Sequence, residues 1–256
     1  MLRRAAAVMF PPLVLFALVV AAWEAIVWYW ELKPFLVPRP GAVWQEAVEQ
    51  RAALLQGALL TGKAALAGFG ASLVTGILVA FIFSQSRLIQ RAAYPYAIFL
   101  QTVPIVAIAP LIILWFGHGF TSIVIVSFIV GLFPIITNTT TGLTTLNPTM
   151  VELFDVNNAS RLQKLFKLQL PGAVPYIVAG ARISSGLSVI GVIVGEFFAG
   201  FGPGKFGLGY QIYAANANLN TKLLFAGVIS STLLGLLMFA TISGVGALLT
   251  RRWRGA

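Results

Sequence analysis

Six apolar runs of about 20 residues, the length needed to cross a hydrocarbon core, divide the chain near residues 8–30, 61–84, 94–117, 120–143, 174–200 and 223–249. The longest polar stretches between them are 31–60 and 144–173. The pattern predicts an all-α polytopic membrane protein of six transmembrane helices, forming a single domain over 1–256 with its core about 57–250. The first run follows Met1-Leu2-Arg3-Arg4; it is too long for a signal peptide and no small-residue cleavage site precedes a polar start, so it is expected to remain as a span. In the first polar stretch, Pro34, Pro38 and Pro40 punctuate the chain, and residues 42–56 alternate Glu46, Glu49 and Arg51 with apolar positions. That stretch predicts a short amphipathic helix at the outer interface, covering the bundle or meeting solute.

Composition agrees with burial in lipid. Of 256 residues, 59% are hydrophobic and 9% charged, against about 25% charged in soluble domains. There is no cysteine, which excludes disulfides and cysteine-based metal or redox chemistry. The net charge of +10 is not a nucleic-acid signature, because the cations cluster in short segments between spans instead of along one face. With the N-terminus inside, one side holds ten: Arg3, Arg4, Arg87, Arg91, Arg161, Lys164, Lys167, Arg251, Arg252 and Arg254. The other holds Lys33, Arg39, Arg51, Lys205 and Lys222, with Lys63 at the mouth of span two. This bias predicts both termini and the 144–173 loop on the cytoplasmic side.

Within that loop Glu152–Pro171 reads ELFDVNNASRLQKLFKLQLP, a polar, basic, helix-forming segment far longer than a connection requires. Leu153, Phe154, Val156, Leu162, Leu165 and Phe166 supply apolar anchors, and Arg161, Lys164 and Lys167 a basic band. Such a helix suits a groove on a soluble partner or the anionic inner leaflet. Its register is specific: Asn158 follows Glu152 by six residues, and Leu168-Gln169-Leu170-Pro171 begins ten further on. This resembles the EAA loop of ABC-transporter permeases, Glu-Ala-Ala, three residues, Gly, nine residues, Ile-x-Leu-Pro. FLVPRPGAVW (35–44), VPIVAIAPLIILWFG (103–117), PIITNTTTGL (134–143), LPGAVPYIVAGARISSGLSVIGVIVGEFF (170–198) and GLGY (207–210) extend the resemblance over roughly 35–250, to permeases of sulfonate, taurine, nitrate and pyrimidine-precursor importers. Leu153 and Phe154 stand where that family has alanines, and Asn158 where it has the glycine between two short helices. Asn tolerates the left-handed conformation better than other non-glycine residues, so the turn is expected to persist.

The resemblance implies a type I importer permease fold in a bacterial cytoplasmic membrane, with alternating access as the mechanism. Its implied partners are two ATPase subunits, a second permease subunit (a homodimer), an extracytoplasmic solute-binding protein and membrane lipid. Glu152, Leu153, Phe154, Asp155, Asn158, Ala159, Ser160, Arg161, Leu170 and Pro171 are the implied ATPase-docking surface. The solutes implied are organic sulfonates, nitrate-like anions, and vitamin or pyrimidine precursors; the scarcity of in-span cations favours a weakly charged or neutral one.

The chain has no nucleotide site of its own. Around Gly204-Lys205, Ala199 stands where a P-loop needs glycine and Phe206 where it needs Ser or Thr. Gly202, Gly204 and Gly207 fit G-x-G-x-x-G without a βαβ unit around them. No cofactor, metal site or catalytic residue is expected, because the single His118 and the scattered acids Glu24, Glu31, Glu46, Glu49 and Asp155 form no acid–base or metal cluster in a span. An ATP-independent carrier or channel is the alternative, and an intramembrane enzyme a weaker one. For the pathway or its gates, Pro95, Pro104 and Pro110 in span three and Pro134 in span four predict broken helices. Polar residues 137–141 either line the pathway or end span four. Arg182 and Glu196, fourteen residues apart in span five, are ionisable groups at membrane depth and hence functional candidates. Arg182 is expected to snorkel or pair with the loop, and Glu196 to serve an outer gate or hold the 200–222 segment. Gly186, Gly191 and Gly195 read as helix-packing positions.

Overall fold

The computed structural model describes residues 2–200 and 206–253, without the side chains of residues 2–9, 252 and 253. Arg254 and Lys205, with Gly202 and Gly204 of the glycine-rich stretch, lie outside the described residues. All regular structure among the described residues is helical: α1 (Leu2–Tyr29), α2 (Pro40–Glu49), α3 (Arg51–Gln85), α4 (Arg87–Thr102), α5 (Ile105–Phe116), α6 (Phe120–Thr144), α7 (Pro148–Val156), α8 (Arg161–Lys164), α9 (Leu170–Ala199), α10 (Leu208–Ala217) and α11 (Thr221–Trp253). Phe10–Tyr29, Arg51–Gln85, Phe120–Thr144, Arg161–Ala199 and Thr221–Arg251 are each long and apolar enough to cross a membrane.

One expectation is met and two are corrected. The third span is broken, as its prolines predict. Val103 is extended (ψ 123°), as the residue before Pro104 must be to avoid its ring, and α4 and α5 meet there at 96°. Only as a bent pair do they make a sixth span. The interfacial helix ends at Glu49 instead of running to residue 56, because Arg51 opens the 35-residue α3. The 200–222 segment carries a helix of its own, α10, which no apolar run announces.

The centre is α6, held between α3 and α9. Backbones approach closely because one side of each contact is small: a Cβ at Gly191 would lie 2.8 Å from the Ser127 Cα, and one at Gly131 would lie 2.7 Å from Ser184 Oγ. Serine hydroxyls stitch the three helices at the same level. Ser72 of α3 donates to the Phe128 carbonyl at 2.8 Å, Ser127 of α6 to the Ser188 carbonyl at 2.9 Å, and Ser184 of α9 to the Gly131 carbonyl at 2.8 Å. Where no water reaches, such donors have a protein carbonyl as their partner. Small-residue contact at Gly191 and Gly195 is thus packing, as expected, whereas nothing lies within 4 Å of a Cβ built on Gly186. α1 stays at the periphery. Val27 is its one buried residue among those described, and a Trp23–Phe225 ring stack (5.6 Å) and a Glu24–Arg39 ion pair (3.8 Å) hold it.

Gly191→Val is expected to force α6 from α9 and destabilise the purified protein by about 1–3 kcal/mol, the usual cost of overpacking. Gly186→Ala is expected to leave the melting temperature unchanged in the same detergent.

Candidate functional site

The 145–169 loop is built by strong local signals. Asn147 caps α7, accepting from Thr149 N at 3.0 Å, with Pro148 at the first helical position, where its missing N–H costs nothing. α7 closes in a Schellman motif, with Ala159 N bonded to Phe154 O and Asn158 N to Asp155 O, both at 3.0 Å. The motif puts Asn158 at φ 49°, the left-handed turn expected of it. Ser160 then opens α8 with a capping box: its side chain accepts from Gln163 N at 3.3 Å, and Gln163 Oε1 accepts from Ser160 N at 2.8 Å. Lys164 pairs with Asp155 across the turn and fixes the angle between the two short helices.

The loop presents Glu152, Leu153, Asp155, Asn158, Ser160 and Arg161 as exposed, with Phe154, Ala159, Leu170 and Pro171 half-buried. None of the residues of α7 is buried. Leu153, Val156, Leu162 and Phe166 form an exposed apolar set, while Leu165 instead packs into the bundle against Ala80, Leu143 and Ala173. A π-turn over Leu165–Gln169 joins α8 to α9, so the chain runs helically from Arg161 to Ala199.

At the far end of that run lies the most polar buried point of the bundle. Glu196 and Thr61 are both 0% exposed. Thr61 Oγ1 donates to Glu196 Oε1 at 2.7 Å, Gly209 N donates to Glu196 Oε2 at 2.6 Å, and Leu208 N donates to Thr61 Oγ1 at 2.9 Å. A Cβ on Gly207 would overlap the carboxylate, and one on Gly209 would lie 2.6 Å from Ile193 O. Glu196 is thus bonded to the start of α10, within the segment that one of its two expected roles has it hold. Thr61 was missed, since a hydroxyl 135 residues away carries no local signal; the glycines at 207 and 209 near a lone in-span acid were the only hint.

The other candidates are not gathered. Pro104 sits at the α4–α5 bend and Pro110 inside α5. Arg182 is half-buried and pairs with neither the loop nor Glu196 among the described residues, and its Nε is buried without a partner; of its two expected roles, pairing with the loop is not seen. Thr137 and Thr141 bond back to the Phe133 and Thr137 carbonyls, and Asn138 to the Pro134 carbonyl at 2.8 Å, while the hydroxyls of buried Thr139 and Thr140 find none.

Residues 72–255 match the family described as binding-protein-dependent transport system inner membrane component. The formylaminopyrimidine transport permease protein ThiX of Halalkalibacterium halodurans is 33% identical over 211 residues, covering 82% of this chain and 83% of that protein. The riboflavin transport system permease protein RibX of Chloroflexus aurantiacus is 32% identical over 243 residues, covering 93% and 88%. Among solved structures, an inward-facing MetNI methionine ABC transporter superposes with a TM-score of 0.65 at 17% identity, over 80% of this chain and 98% of that one, a likeness of fold.

Asn158→Gly is expected to retain the loop turn, since glycine adopts φ > 0 without penalty. Asn158→Val is expected to loosen it by about 1–2 kcal/mol, read as faster hydrogen exchange of the Phe154–Gln163 amides with α6 and α9 unaffected.

Proposed function

The chain belongs to the binding-protein-dependent transport system inner-membrane components, and from that premise we propose that it is the permease subunit of an ATP-driven ABC importer whose 145–169 loop docks a separate ATPase. The observation that carries the docking assignment is the loop itself. Two short helices are held at a fixed angle by the Asn158 turn and the Asp155–Lys164 pair. They present unburied apolar side chains and are joined helically to a membrane span. A push on such an element is delivered to the bundle instead of being lost in a slack connection.

Two copies of the permease frame the pathway, two ATPase subunits grip their loops, and a binding protein delivers solute at the opposite end. The cation bias of the sequence supports a cytoplasmic loop end and cytoplasmic termini. ATP binding then favours one of two arrangements of the spans, which is what coupling requires. The bend at Pro104 and the in-helix Pro110 support a role for α4 and α5 among the elements that move, because freed backbone groups are common in broken helices that line pathways. The solute is a neutral or weakly charged vitamin- or pyrimidine-precursor type. That class is supported by ThiX and RibX, each matched over more than four fifths of its length, and by the scarcity of cations within the six apolar runs, where Lys63 and Arg182 are the only two.

Wild-type protein in mild detergent is expected to co-purify its ATPase, and Glu152→Lys to reduce the yield of that complex at least tenfold; equal recovery would remove the loop from the docking surface. In reconstituted vesicles, formylaminopyrimidine or riboflavin is expected to stimulate ATP hydrolysis through the cognate binding protein where taurine and nitrate do not. The reverse pattern would assign an anion.

A further inference from the structure

Helix α10 has no cap of its own. Its N-cap is Gly207, which has no side chain to offer, and the first-turn donors at Leu208 and Gly209 are taken by Thr61 of α3 and Glu196 of α9. Capping normally comes from the residue that precedes a helix; here it comes from two membrane spans at once. A ten-residue helix is marginal without such support. Its other end is closed by Leu219 at φ 56°, a conformation that β-carbon crowding makes costly, with the side chain 83% exposed.

The two caps are not independent. The Thr61 hydroxyl donates to the carboxylate and accepts from Leu208 N, so it bridges α3, α9 and α10. Moving α3 away from α9 at this level leaves the Leu208 N–H and one carboxylate oxygen unpaired together. Buried groups in that state are costly, so the junction is made or broken as a unit. Gln211 of α10 adds a bond to the Ala53 carbonyl of α3 at 2.8 Å, and α10 forms one wall of an outward cleft of about 380 Å³ lined by Gln50, Gln56, Tyr210 and Gln211.

We propose that Thr61 and Glu196 are positioning residues of the transport cycle: they hold α10 down while α3 and α9 stand together at the far end, and release it when the spans part. The proposal rests on the permease assignment. Glu196 lies three residues before the end of the helical run that starts at the loop, so displacement of the loop reaches this junction through a continuous helix.

The chain has no cysteine, so Ala215→Cys, in α10 and 2% exposed, creates a single thiol beneath that helix. The reconstituted complex of permease, ATPase and binding protein is treated with a water-soluble maleimide. Labelling is expected to be slow at rest and at least tenfold faster with ATP and binding protein. Adding Thr61→Val is expected to bring the resting rate to the turnover rate, and Thr61→Ser to restore protection. Ala173→Cys, 0% exposed at the loop end, is expected to stay protected in the Thr61→Val background. Equal labelling of Ala215→Cys at rest and during ATP-driven turnover overturns the proposal, and so does labelling of Ala173→Cys, which marks general unfolding. A wild-type preparation that assembles with no ATPase overturns the permease assignment instead.

Discussion

Close approach of helix backbones is the constraint on which this bundle depends. In lipid, apolar surface gains nothing by leaving one hydrocarbon for another, so association rests on packing and on hydrogen bonds between helices. α6 meets both demands. It lies against glycines of α3 and α9 and offers its own Gly131 to their serines, and three serine hydroxyls then reach carbonyls that only near contact brings within range. Pro134 lies in the same helix, and in the turn after it Thr137 and Asn138 donate back to the Pro134 carbonyl.

Away from that centre the structure loosens in an ordered way. α1 buries almost nothing, the α4–α5 pair turns through 96°, α7 buries no residue, and α10 borrows its caps. α1 and α7 are fixed by a few identifiable bonds with almost no packed face, whereas α5 and α10 each bury only three residues. A transport cycle needs parts that move at low cost around parts that do not, and here the two sets are separated by helix. Among the described residues, the three non-glycine residues with positive φ, Glu31, Asn158 and Leu219, all sit just past the end of a peripheral helix, α1, α7 and α10 respectively. At each, the carbonyls of the last turn are satisfied by the same bonding pattern.

Much of this was legible in the sequence. Apolar run length found the spans, and their ends near residues 84, 120, 143 and 200 to within a residue or so, but it missed the first ten or more residues of the helices that open at Arg51 and Arg161, which are more polar. The polar interruption at Glu152–Pro171 identified the loop, and the turn at Asn158 followed from the resemblance, which has a glycine there, and from the tolerance of Asn for that conformation. What escaped was tertiary. The sequence marked Pro104 as a break but held no measure of its angle, which is set by the packing of α4 on α3 and of α5 on α9. α10 is short and neither strongly apolar nor amphipathic, so no period reveals it. The Glu196 junction joins residues 135 apart and uses backbone donors that have no identity in a sequence. Of the two roles the sequence left open for Arg182, pairing with the loop is out of reach for a simpler reason: it lies twelve residues into α9, roughly 18 Å from the start of that helix.

The helical run from Arg161 to Ala199 is bonded to α6 at Ser188 and touches its backbone at Gly191. A rod pivoting there would act as a lever with a fulcrum. Its loop-side arm, from Arg161 to Ser188, is roughly 40 Å and its opposite arm, from Ser188 to Glu196, roughly 12 Å at 1.5 Å per residue. Movement imposed at the loop would then be reversed in direction and reduced to about three tenths at Glu196. Unequal arms trade distance for force, so a broad swing at the loop becomes a short, strong displacement at the end where three hydrogen bonds must give way together.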